Sequence, residues 1–328
     1  MPRWYCAQTG IMTSIPQLLS GPSRADFSRL LDLLAFPNLT DLLANGPDQW
    51  WIDTGQGLTD LGNVGISADG LHTLSRFLVE LGERHLDQQS PIADASVAAW
   101  QFPELVRMGI ANLRVHAVLE SAVSNQTLLS LRVHRAEAPS FGQLHQSGMF
   151  TDSQAAQIFD IAESRRNFLV TGPAGSGKTT LLRAIAAFNP TLRTVVIEDT
   201  AELLPMDCHA VGLQVRQPNI EGAGFIGLEV LAAHAMRMRP DRIFVGEVRG
   251  SEIATLLLAM NTGHSGSAAT LHANSAQSVR GRIRSLLGES SASLETLDNR
   301  LDESIEAVIH LGFEAGARKV LYIGELPK

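Results

Sequence analysis

Cysteine is nearly missing from this sequence: 328 residues hold two, Cys6 and Cys208. No disulfide framework can be built from that pair, and the chain is expected in a reducing compartment. Aromatic residues make up only 5 %, and there is no basic excess, with 26 Lys and Arg against 34 Asp and Glu for a net charge of −8. A protein that coats nucleic acid carries the opposite charge balance and aromatic stacking platforms, so nucleic acid is not the expected partner. Long apolar runs are absent too, and none approaches the ~20 residues of a membrane helix. The N-terminal stretch is interrupted by Arg3, Gln8, Gly10, Pro16 and Gln17, which leaves no apolar core for a signal peptide. Met1–Ile11 shows no periodicity, so Met12 is a second candidate start. These absences together predict a soluble, cytoplasmic protein with no direct membrane insertion.

What is present is the balance of a folded chain, 45 % hydrophobic and 18 % charged, long enough for about two domains at ~150 residues each. The character changes near Phe150. Before it, Phe27, Leu30, Leu31, Leu33 and Leu34 lie at helical spacing, and Leu71–Leu86 repeats Leu74, Phe77, Leu78 and Leu81 on one face. Trp50–Asp53 reads as a strand before a glycine turn, and Leu113–Leu119 and Leu128–His134 as two more, each with alternating arginine. That predicts a small α+β domain over 38–138, with an extension at 1–37 and a linker at 139–152. After the linker, Ser153 is a candidate cap for a helix carrying Ala155, Ile158, Phe159 and Ala162. Apolar strands follow at Phe168–Thr171, Thr194–Ile197, Arg242–Val245 and Ser267–Leu271, then a hairpin of Ala307–Leu311 and Lys319–Ile323 around Gly316. Apolar strands separated by helices predict an α/β domain over 153–328 with a mainly parallel sheet covered on both sides.

Directly after the strand ending at Thr171 stands Gly172-Pro-Ala-Gly175-Ser176-Gly177-Lys178-Thr179, followed by Thr180 and a helix. This is the G-x-x-x-x-G-K-[ST] phosphate loop in its proper setting, strand before and helix after. Glycines let successive amides curve round a polyphosphate, the helix N-terminus adds a favourable field, Lys178 supplies charge, and Thr179 offers a hydroxyl to Mg²⁺. ATP and Mg²⁺ are the expected ligands. Three later segments refine this. Val195-Val-Ile-Glu198-Asp199 ends an apolar strand in carboxylates, where metal and water ligands of a parallel sheet belong, although a solvated acidic turn has the same form. Arg242-Ile-Phe-Val-Gly246-Glu247-Val-Arg249 places glycine where many such enzymes carry a metal-binding Asp. Glu247 then orients or deprotonates the attacking water, unless it merely pairs with Arg249. Gly263-His264-Ser-Gly-Ser…Thr270-Leu-His272-Ala-Asn ends a short strand in a histidine that can report on the terminal phosphate or serve structure only.

In that order these motifs resemble the secretion traffic ATPases of type II and type IV secretion systems and type IV pili, most closely the tight-adherence pilus (CpaF) branch. The resemblance is strong over about 150–328 and weaker over about 38–135. It implies a RecA-like P-loop core preceded by a small α+β domain, assembled as a hexameric ring that pushes on polytopic inner-membrane platform proteins from the cytoplasmic face. It further implies that Gly172, Gly175, Ser176, Gly177, Lys178, Thr179 and Thr180 bind the nucleotide and that Glu247 is the catalytic carboxylate. Glu198 and Asp199 belong to the Asp box, as catalytic or Mg²⁺-binding groups, while His264 and His272 match the two histidines of the His box. Arg114 and Arg132 match arginines that the N-terminal domain sends toward the γ-phosphate, and Arg216 matches a loop that contacts phosphate or a neighbouring subunit. The chain departs from the family pattern at Asp94–Asn112, after Leu119, and at Leu131–Arg135. Two rival functions remain in view, a nucleic-acid-dependent RecA-like motor and a nucleotide-gated scaffold with little turnover.

Overall fold

The computed structural model describes residues 21–55, 57–98, 101, 103–200, 202–203, 208–216, 223–288 and 294–328. Cys6 and both candidate starts, Met1 and Met12, lie outside the described residues. The chain divides into two compact units, one ending at Arg135 and the other starting at Ala136.

The first unit runs α1 (Arg24–Leu34), β1 (Asp41–Asn45), β2 (Trp50–Asp53), β3 (Leu58–Gly62), α2 (Ala68–Leu81), β4 (Ile92–Ala98), α3 (Pro103–Arg107), β5 (Ile110–Val118) and β6 (Leu128–Arg135). Its strands form one antiparallel sheet in the order β3-β2-β1-β6-β5-β4. Strand residues alternate between two fates, as the period of a pleated strand requires. Leu113, Val115, Leu129, Leu131 and Val133 turn inward and pack with Leu30, Leu34, Leu71, Leu74 and Leu78 of the two helices. The opposite face is mostly polar, with Leu43, Trp51 and Leu128 half-buried on it, which is the one-sided burial expected of an antiparallel sheet. Ser67 caps α2 through the Gly70 amide, so the amphipathic stretch begins at Ala68, three residues before its first leucine.

The second unit runs α4 (Phe141–Gln146), α5 (Asp152–Glu163), β7 (Phe168–Gly172), α6 (Lys178–Ala186), β8 (Thr194–Glu198), β9 (Ala210–Gln214), α7 (Leu228–Ala235), β10 (Arg242–Val248), α8 (Glu252–Asn261), β11 (Ala268–His272), α9 (Val279–Leu287), α10 (Leu294–Ser304), β12 (Ala307–Glu314) and β13 (Ala317–Gly324). The sheet order is β13-β12-β7-β11-β10-β8-β9, parallel throughout except for the terminal β12–β13 hairpin. Residues of β7, β8 and β10 are buried on both faces: Phe168, Val170, Val196 and Phe244 pack with α5 and α6, while Leu169, Val195, Ile197 and Ile243 pack with α7, α8 and α9. This is the RecA-like α/β core, a parallel sheet between two helical layers.

Two local expectations need correction. Helix α5 is capped by Thr151, in a reciprocal capping box with Gln154, and not by Ser153. Pro139–Phe150, expected as a linker, contains α4, which has its own capping box between Ser140 and Gln143. Leu144, Met149 and Phe150 are buried against α6, and Phe141 lies 4.7 Å from the Phe188 ring, so the segment is part of the second unit's core.

Candidate active site

The strands β7, β8, β10 and β11 all point the same way, so their carboxyl ends share one edge of the sheet. Ligands of open parallel sheets bind at such an edge. β7 delivers the phosphate loop there. A Cβ at Gly172 would collide with the Leu311 carbonyl, and Gly177 adopts φ +93°, so both positions require glycine. Gly177 is the N-cap of α6 and supplies no side chain to its first amides, which leaves those donors for an anion. Ser176 is buried, its hydroxyl donating to the Pro173 carbonyl at 2.9 Å. Lys178 is 7 % exposed and its ammonium donates to the same carbonyl at 2.9 Å. Burial pulls the Lys178 pKa down, against the opposing pull of Glu247 and Glu202. A buried ammonium hydrogen-bonded to a neutral carbonyl has the chemistry to bind an anion. Thr179 and Thr180 stand in the first turn of α6.

Glu247 reaches this edge through an irregularity. Opposite β11, strand β10 carries one extra residue between Val245 and Val248, a bulge that holds Gly246 and Glu247. Bulges re-aim side chains, and the Thr270 hydroxyl fixes this one through the Gly246 carbonyl. The Glu247 carboxylate accepts from Arg249 at 2.7 Å and lies 3.2 Å from His272 Nε2. Burial alone would raise its pKa, but Arg249, His272 and Lys178 outweigh that and hold it low. Glu247 is therefore an anion beside the phosphate loop, and its pairing with Arg249 coexists with that placement. His272 lies in register with Gly172 on the neighbouring strand, and burial, then the Lys178 charge, push its pKa down.

Glu198 sits in a different setting. It is 4 % exposed, and one carboxylate oxygen accepts the amides of Glu202 at 3.0 Å and Leu203 at 2.8 Å. Burial pushes its pKa up to about 7. Its chain fills the space that a side chain at 246 would need: a Cβ there would lie 2.8 Å from Glu198 Cγ. The glycine at 246 in β10 thus makes room for a carboxylate from the adjacent strand β8. Asp199 lies 3.4 Å from Arg249 Nη1. One Glu198 oxygen is thus engaged by two backbone amides, and one Asp199 oxygen faces a guanidinium. Among the described residues no group of three His, Cys, Asp or Glu side chains forms a cation cage. The donor set suits Mg²⁺ held by the Thr179 hydroxyl and phosphate oxygens, because that ion keeps much of its water.

Two sequence candidates of the second unit lie away from the phosphate loop. His264 precedes β11, at the amino edge of the sheet, where its ring lies 3.2 Å from the Ala259 carbonyl. Arg216 follows the edge strand β9, four strands from β7, and pairs its backbone with Ile226; the loop after it, 217–222, lies outside the described residues. Arg114 and Arg132 belong to the first unit, as direct cross-strand partners on the open face of its sheet. Arg132 pairs there with Asp41 at 2.9 Å.

Sequence reasoning missed two organisers. Asn167, 4 % exposed, accepts the Gly266 and Ser267 amides and donates to the Met260 carbonyl, closing the amino edge of the sheet. Its place immediately before a predicted strand was the available signal. Arg318 Nε donates to the Gly175 carbonyl at 2.9 Å across 143 residues, and nothing local in the sequence announces it.

Residues 28–312 match the family described as Type II/IV secretion system protein. A Mycobacterium tuberculosis protein named for conjugal transfer is 37 % identical over 296 residues, spanning 90 % of this chain and 82 % of its own. The chain belongs to the type II/IV secretion system protein family. Two solved structures share the fold, each with a TM-score of 0.65 and 20 % identity: the pilus retraction motor PilT with ADP, over 92 % of this chain and 82 % of that one, and the Legionella pneumophila ATPase DotB, over 93 % and 82 %. With an intact phosphate loop inside that family, this chain is an ATPase.

Proposed function

We propose that this chain is one subunit of a hexameric, Mg-ATP-hydrolysing motor that drives a pilus or secretion machine. The observation that carries the reading is Glu247 on the β10 bulge, an anion paired to His272 at the edge that also holds the phosphate loop. The amides of the loop and the ammonium of Lys178 bind the β- and γ-phosphates, with Gly175, Gly177 and Thr180 shaping the curve and Thr179 holding Mg²⁺. When bound, that ion spreads negative charge away from the transferring phosphoryl group. Glu247 orients the attacking water and takes its proton, while His272 holds the carboxylate in place. Glu198 braces the turn at 202–203 behind it.

Arg114 and Arg132 are the proposed γ-phosphate ligands of the first unit. Two guanidinium groups opposite one another on a sheet repel; Asp41, on the far side of Arg132, offsets one of them, and a bound anion would offset both. A cation reaching the transferring phosphoryl stabilises charge that grows in the transition state, and its withdrawal couples hydrolysis to motion between the two domains. Arg216 and His264, away from the phosphate loop, are proposed contacts to a neighbouring subunit. No helix among the described residues is long and apolar enough to cross a membrane, which favours docking on polytopic platform proteins at the cytoplasmic face. The tight-adherence pilus branch is the proposed machine, on the order and wording of the motifs. Conjugal transfer, named for the mycobacterial relative, is the second reading.

The test is ATP hydrolysis measured against protein concentration, with mass by light scattering. A rate per subunit that climbs as a six-fold particle forms supports the motor. A monomer with a concentration-independent rate contradicts the ring.

A further inference from the structure

Arg318 stands at the phosphate loop because of a bulge in the terminal hairpin. Along β12, His310 pairs with Tyr322 and Leu311 with Val320, so β13 carries one extra residue, Leu321. Without it, Val320 and Ile323, three apart, would face opposite sides of the sheet. With it, both join the cluster on the α5–α6 side. Arg318, two residues before Val320, shares that side and is turned toward the loop that opens α6.

The strand carrying Arg318 is firmly held. The Val320 amide donates to the Met149 carbonyl at 2.8 Å, Gln154 Nε2 donates to the Val320 carbonyl at 2.9 Å, and Lys319 Nζ donates to the Gly148 carbonyl at 2.5 Å. From that platform Arg318 Nε reaches Gly175, and Arg318 Cδ would lie 3.8 Å from a Cβ at Gly177, the N-cap of α6. Only Nε is engaged among the described residues, and the side chain is exposed. A guanidinium donates from several N–H groups in a fixed fork that matches phosphate oxygens. The Nη edge therefore stands at the mouth of the loop with donors to spare, on the side opposite the carboxylates of β8 and β10.

We infer that Arg318 is a further cationic ligand of the nucleotide, binding the phosphate chain from the C-terminal hairpin of the same chain while its Nε–H holds the loop. The inference rests on the nucleotide site described above. Lys178 binds from within the loop and Arg318 from its outer rim, so di- and triphosphates gain from it alike. The closing of the sheet by β12 and β13 then has a role in binding as well as in packing.

Titrating the full chain with a fluorescent ADP and with ATP, in Mg²⁺, tests this in the Arg318→Gln and Arg318→Lys variants. Loss of one charge-assisted contact predicts about tenfold weaker binding of both nucleotides in Arg318→Gln, and a loss within about threefold in Arg318→Lys. The nucleotide-free melting temperature should stay at the wild-type value in both. Wild-type affinity in Arg318→Gln overturns the inference. So does an equal loss in the lysine and glutamine variants, which would leave only a loop-positioning bond, and so does a lowered melting temperature that accounts for the weaker binding. Failure of the wild-type chain to bind either nucleotide contradicts the ATPase site itself and is thereby told apart.

Discussion

The two sheets bury their strands in opposite styles, and each style decides where chemistry can sit. In the ATPase unit β7 and β8 are buried at every position, so no face is open and reactive groups are confined to the strand ends. In the first unit β1 and β6 alternate, so one face lies outside that unit's core, and one row across it reads Ser96, Arg114, Arg132, Asp41 and Asp53 over five strands. A doubly covered sheet builds a site from the loops after its strands. A singly covered sheet presents one as a surface. The first arrangement fixes each group through backbone, whereas the second leaves long side chains that must be ordered by what they meet.

Variants at the strand ends should therefore cost most. Lys178→Ala removes the one buried ammonium of the phosphate loop and should weaken ATP binding by about 100-fold or more, read by equilibrium titration. Gly246→Ala attacks the same edge through packing alone, since the new methyl lies 2.8 Å from Glu198 Cγ. A loss of roughly 1–3 kcal/mol is expected in urea unfolding, together with reduced hydrolysis.

Glu198 gives a pH signature. Its pKa is raised to about 7 in the fold, so the neutral acid is preferred there, and stability present below the unfolded pKa is lost as pH rises through 7. The loss should be roughly 3 kcal/mol between pH 4 and pH 8. Glu198→Gln keeps an acceptor for the Glu202 and Leu203 amides and should remove that slope, seen by unfolding at both pH values.

Much of this edge was legible beforehand. The phosphate loop, Glu247 and His272 sit on short apolar strands whose ends are marked by glycine, acid or histidine, and local spacing carries that information. The strands β1, β3 and β4 went unread: β3 is an exposed edge with no apolar period, and β4, Ile92–Ala98, is built mostly of alanine, serine and aspartate, which carry little strand signal. The β10 bulge, the space for Glu198 at Gly246 and the reach of Arg318 to Gly175 are tertiary facts between residues tens to more than a hundred positions apart. His264 misled because the two histidines of one motif flank β11, and a strand separates its two ends by its own length.

On the open face of the first unit effects on stability should be small. Arg132 and its partner Asp41 form an exposed pair, so Arg132→Gln should change unfolding free energy by less than about 0.5 kcal/mol. If that face serves the nucleotide, ATP hydrolysis should nonetheless fall severalfold. A variant that loses stability and keeps its rate would make the row structural and end the contrast between the two sheets.

The most direct measurement is paired binding and single-turnover hydrolysis of ATP by Glu247→Gln. The amide keeps the shape of the carboxylate but cannot take a proton from water. Hydrolysis is predicted to fall by roughly 10²–10⁴ while ATP affinity stays within a few-fold of wild type. Wild-type turnover in that variant would contradict the account, because the bulge would then present a group the reaction does not use.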